Sequence, residues 1–315
     1  MKKLVVLDTA VSSSNLGDQI IMDAVYGYLK QIFSGDFFVN IPTHDVISRT
    51  SYYYLRESDY AIVGGTNLLS ANMNSYNQWK IGLYDSFFLN DIILMGVGWW
   101  QYQGLPNAYT KYLYHSVLNH QYAHSVRDEY TKKQLNAIGF NNVINTGCPT
   151  MWKLTEAHCQ QITRHRSDSV LLTFTQYKQD ESLDRQVVDI LSERYDKIYY
   201  WIQQPNDYDY MKGFNCEKVI YVEPSLQALD RVLADVNLDY IGTRLHAGIR
   251  ALQNKKRSLI LAVDNRALEI SKDTNLPVIS RDDWDGIKSW IDSEYVTEVK
   301  LPWHNIEQWQ QQFKG

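Results

Sequence analysis

The residues with the clearest chemistry are Thr243-Arg244-Leu245-His246, which join an apolar strand at 238–241 to a helix at 244–253. Arginine presents a planar fork matched to carboxylate or phosphate, and histidine takes up and releases protons near neutral pH. Thr243 falls at the expected N-cap, beside backbone N–H groups that have no partner inside the helix. Such a helix start is a ready anion site, so an anionic substrate is the first expectation. The structural alternative pairs Arg244 with a surface carboxylate and makes His246 a hydrogen-bonded buried histidine. Arg127, at the junction of a strand at 122–126 and the next helix, is another cation in the same kind of place.

These side chains need a scaffold, and the hydrophobic pattern supplies one. Apolar runs at 2–9, 37–41, 59–64, 91–97, 122–126 and 142–146 read as strands, with helical periodicity at 18–33 and 106–120. After a polar, mixed-charge passage at 164–168 the alternation restarts, with strands at 169–173, 197–202, 218–222, 238–241 and 257–263. Parallel strands need crossover connections, so the expected class is α/β: two Rossmann-like domains facing a cleft, residues 1–155 and 156–302. Arg127 from the first and Arg244 with His246 from the second are expected to meet across that cleft.

Other stretches fall at expected strand ends, where ligands of α/β sheets bind. Asn15-Leu16-Gly17-Asp18 follows the first strand, and a capping-box variant, with Asn15 as N-cap and Asp18 at N3, is its structural explanation. Gly64-Gly65 ends another strand, and paired glycines let backbone approach a ligand closely or simply mark a turn. Trp99-Trp100 form either a sugar platform or the closure of a domain interface. Asp207-Tyr208-Asp209 resembles a metal-binding Asp-x-Asp but reads as a solvated turn, as does Lys255-Lys256-Arg257. Arg250, one turn past His246, orients it or faces a carboxylate.

A formal charge of -5 without a long basic run argues against nucleic acid or an anionic membrane as the main partner. Cys148, Cys159 and Cys216 have neither zinc spacing nor the look of a disulfide framework, so no metal is expected. No apolar run approaches the roughly 18 residues of a membrane span, and the expected location is cytoplasmic, neither secreted nor anchored. The 23 Tyr and 9 Trp could stack on sugars, but most must serve core and interfaces.

Taken together, Asn15-Leu16-Gly17-Asp18, Ile62-Val63-Gly64-Gly65, Ser125-Val126-Arg127-Asp128 and Thr243-Arg244-Leu245-His246-Ala247, followed by 257–264, resemble the polysaccharide pyruvyl transferase family. The resemblance implies a glycosyltransferase-B-like fold, with the last helix, 303–313, returning to the first domain. It also implies phosphoenolpyruvate as co-substrate, no further cofactor, and a cyclic pyruvate ketal formed on two hydroxyls of a sugar in a bacterial surface polysaccharide or its lipid-linked precursor. A lipid-linked acceptor would bring peripheral membrane contact. Arg244 and His246 match the family's Arg-x-His, and Arg127 its other arginine. The expected roles are His246 and Asp18 in catalysis, Arg244, Arg127, Thr243 and Gly65 in donor binding, and Asn15, Trp99 and Trp100 in acceptor binding. Thr66 and Gly147-Cys148-Pro149-Thr150 depart from the family pattern. The competing enzyme reading is a nucleotide-sugar glycosyltransferase, against which stands the lack of a convincing acidic ribose partner in the second half. A non-catalytic carbohydrate-binding protein is the third.

Overall fold

Runs such as Leu4-Val5-Val6-Leu7 carry apolar side chains on both faces, which suits strands covered by helices on either side. In the computed structural model, which describes residues 1–314, such strands build two units. The first comprises Met1–Ser13, Ile21–Trp152 and the chain from Leu301 onward; the second comprises Ser14–Ile20 and Lys153–Lys300.

In chain order the first unit holds β1 (Lys3–Asp8), α1 (Leu16–Ile32, whose first residues group with the second unit), β2 (Phe37–Pro42), α2 (Arg49–Arg56) and β3 (Tyr60–Gly64). It continues with β4 (Ile92–Met95), α3 (Ala108–Val117), β5 (His124–Val126), α4 (Glu129–Asn136) and β6 (Val143–Asn145). The second unit holds α5 (Glu156–Cys159), β7 (Ser169–Thr173), α6 (Glu181–Arg194), β8 (Lys197–Trp201), α7 (Asp207–Lys212), β9 (Val219–Val222) and α8 (Leu226–Asp235). It then adds β10 (Asp239–Gly242), α9 (Leu245–Gln253), β11 (Ser258–Ala262), α10 (Asn265–Thr274), β12 (Val278–Ser280) and α11 (Trp284–Asp292). The last helix, α12 (Trp303–Gln311), belongs to the first unit.

In the first unit the parallel order is β2-β1-β3-β4, with β5 and β6 as a further parallel pair. Alternation along β1 sends Val5 and Leu7 into one core with Val63, Leu94 and Trp99, and Leu4 and Val6 into another with Ile21, Ile93 and Trp309 of α12. Each such side chain removed from water contributes about 1.5–3 kcal/mol. Between β4 and β5 a side chain stands in for ladder bonds: Leu94 N–H donates to His124 Nδ1 at 3.2 Å, and His124 Nε2 donates to Asn119 O at 2.7 Å. That arrangement needs the neutral ring, and burial pushes the His124 pKa down to about 4.

In the second unit the order is β12-β11-β10-β7-β8-β9, all parallel. From β7 the chain proceeds to β8 and β9 on one side; from β10 it proceeds to β11 and β12 on the other. The boundary between β7 and β10 is therefore the topological switch point, where crossovers depart in opposite directions and open a crevice at the carboxyl ends.

Arg257, expected in a solvated turn, is 0 % exposed. It pairs with Asp239 at 2.9 Å, donates to Ser293 O and Trp290 O, and stacks 3.8 Å from the Trp290 ring centre. The three-cation run misled because burial is set by what the neighbouring strand offers, here a carboxylate, and composition does not show that. Among the described residues no helix is long and apolar enough to cross a membrane.

Candidate active site at the switch point of the second unit

The crevice forms a pocket open to solvent, with about 440 Å³ of empty space that includes its solvent-filled mouth. Its walls come from strand ends: Thr175 and Tyr177 beyond β7, Gln203 beyond β8, Thr243 to His246 beyond β10, and Asp264 and Arg266 beyond β11. Asn15, on the Ser14–Ile20 stretch, completes the lining.

Helix α9 begins here with no side-chain cap. Arg244 occupies the N-cap position that the sequence assigned to Thr243. The Thr243 hydroxyl turns instead to Thr175 Oγ1 at 2.9 Å, while Thr175 Oγ1 donates back to Thr243 O. The first-turn N–H groups of α9, with the positive end of its dipole, thus face a pocket that no Ser, Thr, Asp or Asn side chain has closed. His246 sits in that first turn, partly exposed.

Arg244 is 5 % exposed and deeply committed to protein partners. Nε donates to Phe174 O at 2.6 Å, Nη1 to Gln204 Oε1, and Nη2 to both oxygens of Asp207 at 3.1 and 3.2 Å. Four of the five N–H groups of a guanidinium are engaged, at most. Asp207, expected in a solvated turn, is 1 % exposed and also accepts from the backbone N–H groups of Gln203 and Gln204. The surface carboxylate of the structural alternative is therefore a buried one. Arg266 is likewise paired, through Nε and Nη2, with Asp264, which also accepts from the Tyr177 hydroxyl at 3.0 Å. With both arginines paired to carboxylates, the positive end of the α9 dipole is what this wall offers an anion. Arg250 reaches away to Asp230, with bonds of 2.8 and 2.7 Å.

The remaining expected residues are placed as follows. Asn15 precedes α1, and its Oδ1 accepts at 3.1 Å from the N–H of Gly17, the second residue of that helix, which is the N-cap role expected of it. Asp18 is 5 % exposed and is not part of the pocket wall. In the first unit, Gly65 has φ +43°, and a Cβ there would lie 2.2 Å from Ile21 Cγ2. The close approach seen at Gly65 is made by a helix side chain. Trp99 is 1 % exposed, with its indole N–H donated to Gln103, so it cannot offer a sugar platform. Trp100 is partly exposed, stacked on Tyr76 with ring centres 3.6 Å apart.

Arg127 is 1 % exposed beside Asp128, at 3.4 Å, and its Nη2 has no hydrogen-bond partner. Thr9 Oγ1 and Asn67 Oδ1, just beyond β1 and β3, are also buried without partners. All three unsatisfied polar atoms lie beyond carboxyl ends of strands of the first unit; sequence reading found Arg127 and missed Thr9 and Asn67. In the second unit sequence reading missed Gln203 and Tyr177, whose only sequence signal was position after a strand, and set Asp207 aside as part of a solvated turn. Among the described residues no group of three or more His, Cys, Asp or Glu is placed to hold a metal.

Comparison with solved structures gives UDP-GlcNAc 2-epimerase of Methanocaldococcus jannaschii in complex with UDP-GlcNAc and UDP, 12% identical, TM-score 0.60, covering 100% of this chain and 99% of that one. The S. aureus MnaA-UDP co-structure is 11% identical, TM-score 0.59, with coverage of 99% and 91%. UDP-GlcNAc 2-epimerase from Neisseria meningitidis bound to UDP-GlcNAc is 10% identical, TM-score 0.51, with coverage of 100% and 98%. At these identities the likeness is one of fold, the two-domain Rossmann-like α/β class with parallel sheets. A search of the curated proteins finds no match. The profile of the polysaccharide pyruvyl transferase family matches residues 15–265, a span that takes in Asn15, Arg127, Arg244 and His246, and on that match the chain belongs to the polysaccharide pyruvyl transferase family.

Proposed function

We propose that this transferase moves the pyruvyl group of phosphoenolpyruvate onto two hydroxyls of a sugar in a bacterial surface polysaccharide or its precursor, forming a cyclic ketal. The observation that carries this reading is the uncapped α9 terminus with His246 in its first turn, inside the span matched by the family. Phosphate or carboxylate is the natural ligand of such a terminus.

In the proposed reaction the methylene carbon of the donor takes a proton and the first sugar hydroxyl adds at C2. The second hydroxyl then displaces phosphate. Of the two hydroxyl protons, one is accounted for in the new methyl group and one leaves with the phosphate, so no further reactant is needed. His246 serves as the general acid, and α9 N–H groups hold the anionic end of the donor. Arg244, fixed by Asp207, shapes this wall. In the first unit the unpartnered Nη2 of Arg127 makes that residue a second anion ligand in kind.

The test is thermal unfolding with phosphoenolpyruvate and, separately, with a panel of UDP-sugars, followed by phosphate release in the wild type and His246→Gln. Phosphoenolpyruvate at about 100 times its Kd should stabilise by roughly 2.7 kcal/mol. His246→Gln should reduce turnover by about 10²- to 10⁴-fold with a much smaller effect on donor Kd. Stabilisation by a UDP-sugar alone would show instead a nucleotide-sugar glycosyltransferase.

A further inference from the structure

Gln203 lines the pocket just beyond β8 and is 3 % exposed, yet its Oε1 has no hydrogen-bond partner. A chain of donors fixes which end of its amide is which. Gly17 N–H can only donate, and it donates to Asn15 Oδ1, so that atom is an oxygen. The same oxygen accepts from Gln203 Nε2 at 2.7 Å, which leaves the Gln203 oxygen at the unpaired end. The backbone of Gln203 is held as well: its N–H donates to Asp207 Oδ2 at 3.0 Å, and its carbonyl accepts from Leu16 N–H at 3.2 Å. A Cβ at Gly17 would come within 2.8 Å of Gln203 Nε2, so the missing side chain at position 17 is what lets the amide seat.

A buried carbonyl oxygen without a partner is unfavourable in the free protein and is removed by a ligand that brings a donor hydrogen. Ionised phosphoenolpyruvate has none, since its polar atoms are all acceptors. A sugar hydroxyl has one. We infer that Gln203 Oε1 receives a hydroxyl of the sugar acceptor, so that one pocket of the second unit binds acceptor beside donor and Gln203 sets which sugars fit. The inference rests on the pyruvyl transfer reading for the identity of the donor, but Gln203's preference for a hydroxyl follows from the amide alone.

The experiment uses saturation-transfer NMR on the full chain, with methyl β-D-galactopyranoside, methyl β-D-glucopyranoside, methyl α-D-mannopyranoside and methyl N-acetyl-β-D-glucosaminide as probes. Phosphoenolpyruvate is titrated in parallel. The proteins are wild type, Gln203→Met and Gln203→Glu, each first shown to melt cooperatively. At least one glycoside should bind the wild type and lose about tenfold or more in Gln203→Met, with the phosphoenolpyruvate Kd unchanged within about twofold. Gln203→Glu, which keeps an acceptor oxygen but cannot donate to Asn15, should retain the glycoside, separating the role of the oxygen from that of the Asn15 bond. The inference is overturned if no probe glycoside binds, if Gln203→Met binds it as the wild type does, or if the Met variant loses phosphoenolpyruvate instead. Glycoside binding that depends on Gln203 in a protein indifferent to phosphoenolpyruvate would sustain Gln203 and sink the pyruvyl donor.

Discussion

Asp207 Oδ1 lies 3.1 Å from Arg244 Nη2, with the two residues 1 % and 5 % exposed. Burial pushes the Asp207 pKa up and the Arg244 pKa down, in each case as the leading cause, with the partner's charge opposing it. Both shifts run toward the neutral forms, with desolvation opposing the mutual attraction, and a buried ion pair is weak evidence for stability. An ion pair of this kind beside an uncapped helix terminus is better explained by what it positions.

A double-mutant cycle follows from that. Arg244→Met alone strands the Asp207 carboxylate and should lower stability by about 3–5 kcal/mol. Adding Asp207→Leu should recover most of the loss, or exceed it by about 1–4 kcal/mol, because an apolar pair replaces two desolvated ions. Urea midpoints of the four proteins read the cycle, and both Met-containing proteins should lack the thermal shift with phosphoenolpyruvate. A double variant no more stable than the single one would make the pair a stabilising feature and remove the argument for function.

Gly65→Ala separates the packing account of Gly65 from the ligand account. The added methyl meets Ile21 Cγ2 at 2.2 Å on a backbone with φ +43°. The left-handed conformation and the overpacking together should lower stability by about 2–4 kcal/mol. Ile21→Ala placed in the same chain should return the steric part. Unchanged stability with lost turnover would return Gly65 to the donor site.

The strand and helix order was legible because buried parallel strands leave dense apolar runs and amphipathic helices leave a period of three and four. The helix starts were legible as places, and Arg244 and His246 were found there. Their partners were not. Nothing in Gln203-Gln204-Pro205-Asn206-Asp207 marks Asp207 as buried; it becomes so because β8 lies beside β7, across from β10 in the sheet, and its loop reaches Arg244. Trp99 and Trp100 are adjacent and chemically alike, and only alternation decides that the first enters the core while the second stacks on Tyr76. The unpartnered Gln203 oxygen is a geometric fact with no counterpart in residue type.

His124 gives the pH dependence a sign. Its ring accepts from Leu94 N–H and donates to Asn119 O, which only the neutral form can do, and its pKa falls from 6.5 to about 4. Between those values the unfolded chain binds a proton at His124 that the folded chain refuses, so falling pH favours unfolding. The stabilisation is complete above pH 6.5 and is lost as pH falls toward about 4. The shift corresponds to about 3 kcal/mol at most. Urea unfolding followed by tryptophan fluorescence at pH 7 and pH 4 should show that loss in the wild type. His124→Asn, which keeps an acceptor for Leu94 but does not titrate, should be less stable than the wild type at pH 7 and lose less on acidification. Parallel pH dependences in the two proteins would mean that His124 is not held neutral between β4 and β5.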